Sequence, residues 1–81
     1  MCLVKCTIYD GLDPRERVAR FDTFEGRAEE IVVSADQIKD DSFPAFEIGR
    51  EDDRVLVELS RETSSGRWRV WLKPDQIRSS G

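Results

Sequence analysis

Apolar residues recur at alternate positions in short runs along this chain, the period of strands that bury one face. Over residues 2–9 the pattern turns Cys2, Val4, Cys6 and Ile8 inward and Lys5, Thr7 and Tyr9 outward. Asp10-Gly11 and Asp13-Pro14 then mark a turn-rich connection. The run 17–25 places Ala19, Phe21 and Thr23 on one face, but Val18 and Phe24 fall on the other, which predicts a bulge or a second buried surface. Gly26-Arg27 reverses the chain into a strand carrying Ile31 and Val33. If Phe21 faces Val33 and Thr23 faces Ile31, the loop between them holds an odd number of residues, such as Gly26-Arg27-Ala28.

The second half has the same layout. Pro44 opens a strand with Phe46 and Ile48 inward, a position that suits a proline at a strand start or a sheet edge. A four-residue loop, Arg50-Glu51-Asp52-Asp53, pairs Ile48 with Val55 and Phe46 with Val57. The loop Thr63-Ser64-Ser65-Gly66 then pairs Leu59 with Val70 and Val57 with Leu72, with Trp68 also inward and Trp71 outward.

Two segments read alike: Val32-Val33-Ser34-Ala35-Asp36-Gln37-Ile38-Lys39 and Trp71-Leu72-Lys73-Pro74-Asp75-Gln76-Ile77-Arg78. Each is an extended apolar run that closes on Asp-Gln-Ile and a cation. Each also starts a helical turn, the first through a capping box of Ser34 with Gln37 and the second through Pro74 at the first helical position. Ile38 and Ile77 would fold back as apolar plugs. The expected fold is all-β: six antiparallel strands in two three-stranded meanders, each followed by a short helical turn, closing into a small barrel or a two-sheet sandwich. The whole chain, 1–81, reads as a single domain with an internal repeat of 2–40 on 43–78.

Charge narrows the function classes. Apolar residues make up 38% and charged residues 37% of the chain, with a net charge of −4 and both signs interspersed, the profile of a folded domain rather than a disordered one. Residues 1–40 carry six cations against nine acids and residues 41–81 seven against eight, so neither half is a basic nucleic-acid module. No apolar run approaches the roughly 20 residues that span a bilayer, so the chain is expected to be cytoplasmic, without a membrane partner. Cys2 and Cys6, four residues apart on one strand, would stand roughly 13 Å apart, beyond the ~7 Å reach of a disulfide. With no histidine in the chain, neither a Cys/His zinc site nor a Cys/His catalytic pair can form, and the cysteines read as small buried hydrophobes. The acidic loop Glu51-Asp52-Asp53 lacks the glycine and oxygen spacing of a calcium loop. No cofactor or metal is expected, and no catalytic constellation stands out.

One constellation looks more than structural. Arg67, Arg69, Trp71 and Lys73 line the outward face of the last strand, an aromatic among cations of the kind that grips an anionic ligand or single-stranded nucleic acid. The expected register sets Glu62 opposite Arg67, Glu58 opposite Trp71 and Leu56 opposite Lys73, neighbours that would partly neutralise and pack that face. The leading expectation is a small non-catalytic interaction module that binds a protein partner, or a second copy of itself, through an edge strand or the Trp71 face. The alternative is a nucleic-acid or other anion-binding module that uses Arg67, Arg69, Trp71 and Lys73.

Overall fold

The alternation folds largely as it reads, but into eight strands instead of six. The computed structural model describes residues 1–79. The first apolar run divides at Cys6 into β1 (Cys2–Lys5) and β2 (Thr7–Asp10), which lie in different sheets. β3 (Glu16–Asp22) and β4 (Ala28–Ser34) follow, then β5 (Ser42–Glu51), β6 (Arg54–Glu58) and β7 (Arg69–Leu72). β8 (Ile77–Ser79), which the pattern did not predict, pairs with β1. All pairings are antiparallel and give one sheet in the order β7-β6-β5-β1-β8 and another in the order β2-β3-β4. Among the described residues the strands close no barrel, and the expected three-plus-three arrangement becomes five plus three because the chain changes sheets at Cys6 and returns as β8.

One core lies between the sheets. Val4, Phe43 and Ala45 face Ala19, Phe21, Ile31 and Val33, with Val55, Val57, Val70 and Leu72 completing the cluster. The rings of Phe21 and Phe43 meet across the sheets at 5.4 Å, tilted by 52°. Both Asp-Gln pairs sit in 3-10 turns, Ala35–Gln37 and Pro74–Gln76, and Ile38 and Ile77 pack partly buried against the core as plugs. The capping differs from expectation. Ser34 makes no cap bond and donates its hydroxyl to Asp36, whereas at the second turn the Lys73 backbone N–H donates to the Gln76 side-chain oxygen at 2.9 Å.

Registers shift by even steps, which keeps the faces. β3 and β4 pair Ala19 with Ile31 and Arg17 with Val33, because the loop between them holds five residues instead of three. Val18 and Phe24 need no bulge: Val18 lies in a row with Tyr9 and Val32 on the outer face, and Phe24 sits in the loop. β6 and β7 pair Val57 with Val70 and Val55 with Leu72, two residues from the expected partners.

The β5–β6 hairpin is the real departure. A two-residue turn, Asp52-Asp53, joins Glu51 to Arg54, and a bulge between Glu47 and Gly49 takes up Ile48 as an extra residue. A one-residue slip moves a side chain to the opposite face. Phe46 therefore stands opposite Glu58 rather than Val57 and is 48% exposed, and Ile48 is 45% exposed, both expected inside. Trp68 also departs from its expected inward place, whereas Trp71 keeps its outward one. Trp68 precedes the ladder of β7 and is 51% exposed, while Trp71 is half-buried. Pro44 lies within β5 at a point paired with β1 only, where no β6 neighbour needs its missing N–H.

Two loops use one construction. At 23–27 and at 63–67 the backbone N–H of a buried threonine donates to the carbonyl of an arginine four residues on, its hydroxyl accepts that arginine's N–H, and a glycine at φ +83° or +87° completes the turn by donating its N–H to the threonine carbonyl. Each loop also reaches across a seam between the sheets. The Phe24 N–H donates to the Trp71 carbonyl at 2.7 Å, and the Ser64 N–H donates to the Glu30 carbonyl at 2.8 Å.

Val57→Ala is expected to destabilise the domain by about 1–2 kcal/mol in a denaturant titration, through lost methyls and a residual cavity. Glu58→Ala, which breaks only a surface ion pair with Arg69, is expected to stay within about 0.5 kcal/mol. Equal losses would place Val57 outside the core.

Candidate functional site

The outer face of the five-stranded sheet carries most of the residues singled out in the sequence. Residues directly opposite in an antiparallel ladder point to the same side, so the pairings define its rows. Arg69, Glu58 and Phe46 form one row; Trp71, Leu56 and Gly49 form the next; Pro44, Leu3 and Arg78 form a third. Phe46, on the middle strand, is the half-exposed centre of an apolar band with half-buried Leu3, Pro44, Leu56 and Trp71.

Trp71 is held from above. The guanidinium of Arg54, two residues before Leu56 on β6, stacks 4.2 Å from the indole centroid and 5.8 Å from the Phe24 ring, while Arg54 Nε bonds Glu51 at 2.9 Å. This cation–π contact closes the ring face that a base would need for stacking. Arg69 is engaged by Glu58 at 3.1 Å. Lys73 is exposed and has no acidic partner among the described residues.

Arg67 does not join this face. It lies before β7, in the loop at 63–67, and turns to the seam with the smaller sheet, where Nη1 meets Glu25 at 3.2 Å and Nε lies 3.7 Å from Glu29 Oε2. The four-residue constellation is thus three residues on one face and one in a clamp.

The clamp centres on Glu29, a residue the sequence reading passed over although it lies in alternation with Ile31 and Val33. It is 2% exposed, and its Oε1 accepts the Ser65 hydroxyl at 2.7 Å. Oε2 has no hydrogen bond and lies within ion-pair reach of Arg67. Burial alone would raise its pKa, but the Ser65 and Thr63 hydroxyls and the charges of Arg67 and Arg27 outweigh it, and the carboxyl is held below its ordinary value.

The thiols do not make a nucleophile. Cys6 borders an open concavity of about 380 Å³ together with Lys5, Tyr9 and Arg20. Its thiol donates to the Asp41 carbonyl at 3.5 Å, and burial, helped by the Asp41 charge, pushes its pKa up to about 11. Cys2 is also raised, chiefly by burial, and neither cysteine is in a disulfide. Among the described residues, no three histidine, cysteine, aspartate or glutamate side chains cluster as metal ligands would, and no helix is long and apolar enough to cross a membrane. The chain matches no known protein family, curated protein or solved structure.

Two outcomes follow. Because the folded pKa of Glu29 lies below its unfolded value, the ionised carboxylate stabilises the fold above about pH 4.5, and that contribution is lost as pH falls through the lower, folded pKa. Glu29→Gln is therefore expected to lower the melting temperature most at pH 7, with the gap to the unaltered protein narrowing by pH 3; a gap that widens on acidification would contradict the clamp. At pH 8 the Cys6 thiol, with about one part in a thousand ionised, is expected to react with a disulfide reagent at least tenfold more slowly than in denaturant.

Proposed function

We propose that this domain is a non-catalytic interaction module that binds a protein partner through the outer face of its five-stranded sheet. The observation that carries the reading is Phe46, a large aromatic half-exposed on the central strand and continuous with Leu3, Pro44, Leu56 and Trp71. A bulge that turns an aromatic outward makes no contribution to the core, whereas such a residue is a common anchor of protein contacts. Arg69, Trp71 and Lys73 belong to this surface, and Arg67 to its neighbouring seam.

The anion-binding alternative draws less support. Arg67 and Arg69 are engaged by carboxylates, and the indole of Trp71 is covered by Arg54, which leaves few cations for phosphate. A catalytic reading has no activated nucleophile to rest on, since burial pushes the Cys6 thiol up and no histidine is present to serve as its base.

Affinity capture from the host's own extract tests the reading, with Phe46→Asp as the altered domain and Tyr9→Ala, on the other sheet, as the control. Proteins retained by the unaltered domain and by Tyr9→Ala are expected to be lost with Phe46→Asp, while the melting temperature moves by only a few degrees. Identical retention by all three would overturn the assignment of this face. Sub-micromolar, salt-sensitive binding of a single-stranded oligonucleotide would put the anion reading first.

A further inference from the structure

The charges on the outer face of the five-stranded sheet run against those of the whole chain. By position in the ladder this face carries Arg54 and Arg69 with Lys73 beyond Trp71, and Lys5 and Arg78 around Leu3. Among the described residues, the carboxylates in these rows are Glu51 and Glu58. Five cations against two acids leave a net of +3 on a chain whose total is −4. Both acids are already engaged, Glu51 by Arg54 and Glu58 by Arg69, and Arg78 donates to the Asp40 carbonyl and the Ser42 hydroxyl. Lys5 and Lys73 are exposed and lack an acidic partner among the described residues. They mark opposite ends of the apolar band. From Ser42 beside Lys5 to Glu51 beside Arg54, with Ile48 taken up by the bulge, β5 spans eight ladder steps of about 3.3 Å, and with the three strand spacings of about 4.8 Å between β1 and β7 the two lysine rows lie roughly 30 Å apart.

Resting on the reading of this face as a protein contact, we infer that its partner is an acidic segment of about ten residues, with apolar or aromatic side chains at its centre and carboxylates at both ends. Phe46 and the half-buried Leu56 and Leu3 take the apolar centre, and Lys73 and Lys5 take the flanking acids. A second copy of this chain, bound face to face about a twofold axis, would set two surfaces of net +3 against each other. A nucleic acid would find two unengaged cations some 30 Å apart, too few for a phosphate track. An acidic partner would instead be attracted to this face while the remainder of the acidic chain repels it from other surfaces, which orients the encounter.

Selection of a displayed library of random twelve-residue peptides on the folded domain tests the inference. The expected result is enrichment of peptides with net negative charge and central aromatic or leucine side chains. Their affinity is expected to fall at least tenfold with Phe46→Ser and at least tenfold with the combined Lys5→Glu and Lys73→Glu, two exposed substitutions whose unchanged circular dichroism shows that the fold persists. Enriched peptides that are neutral or basic, binding indifferent to the lysine reversals, or no enrichment at all would each overturn it. So would an unaltered domain that sediments as a dimer broken by Phe46→Ser, or sub-micromolar binding of a twenty-residue oligothymidylate at physiological salt. If peptides fail while host proteins are still captured in a Phe46-dependent way, the contact face stands and the acidic segment does not.

Discussion

The meeting of Phe21 with Phe43 is the constraint on which the rest of the domain depends. Neither sheet is large enough to bury an apolar face alone, and a chain of this size removes only about two-thirds of its unfolded surface from water. The two rings, one from each half of the chain, join two strand sets into one core. Once they meet, the side chains flanking them in the ladders must also turn inward, so Ala19 and Ala45 become the small partners that leave room for the rings. The strand identities follow from that packing more than from any local propensity.

What was legible in the sequence was the alternation, and what was not was its interruptions. Val57, Val70 and Leu72 read as inward and are buried, although they pair two residues from the expected register, because a shift of two preserves the face. Phe46 and Ile48 were misplaced by a single bulge, which leaves no signature beyond Gly49 beside an apolar run. The conflict could have been seen in Phe43, Ala45 and Phe46, which cannot all share one face of a regular strand. Glu29 was missed because an acid at an inward position is read as surface unless its partners are known, and those partners lie more than thirty residues away. Cys6 reads as part of a continuous strand, since nothing at that residue announces that the ladder changes sheets there. Of the candidate site, Arg69, Trp71 and Lys73 were found from the pattern of one strand; Phe46 and Arg54, which complete the face, belong to other strands.

The polar groups are arranged on a different principle from the apolar ones. Most of the ion pairs are exposed and contribute little to stability individually. Glu29 is the exception, since its carboxylate is desolvated and holds the loop at 63–67 against β4 through Ser65 and Arg67. Removing one member of such a set leaves a buried charge without compensation, and because its folded pKa is lowered the contribution of Glu29 is lost on acidification. The outer face of the larger sheet is organised the other way. Its arginines are held by neighbours, so its shape is set before any partner arrives.

The paired loops carry a consequence for how the chain reaches this structure. Because Phe24 bonds a strand of the second half and Ser64 bonds a strand of the first, each half supplies a stop for an edge that belongs to the other. Neither half is complete by itself, so residues 1–40, synthesised ahead of the second half, would expose an uncapped edge at Glu30 and half a core until that half followed. Contacts so distant in sequence slow the search for the native pairing, and while it lasts the same complementarity allows the first half of one molecule to close on the second half of another. The reciprocal seam that makes the domain cooperative is therefore also its route to strand exchange at high concentration.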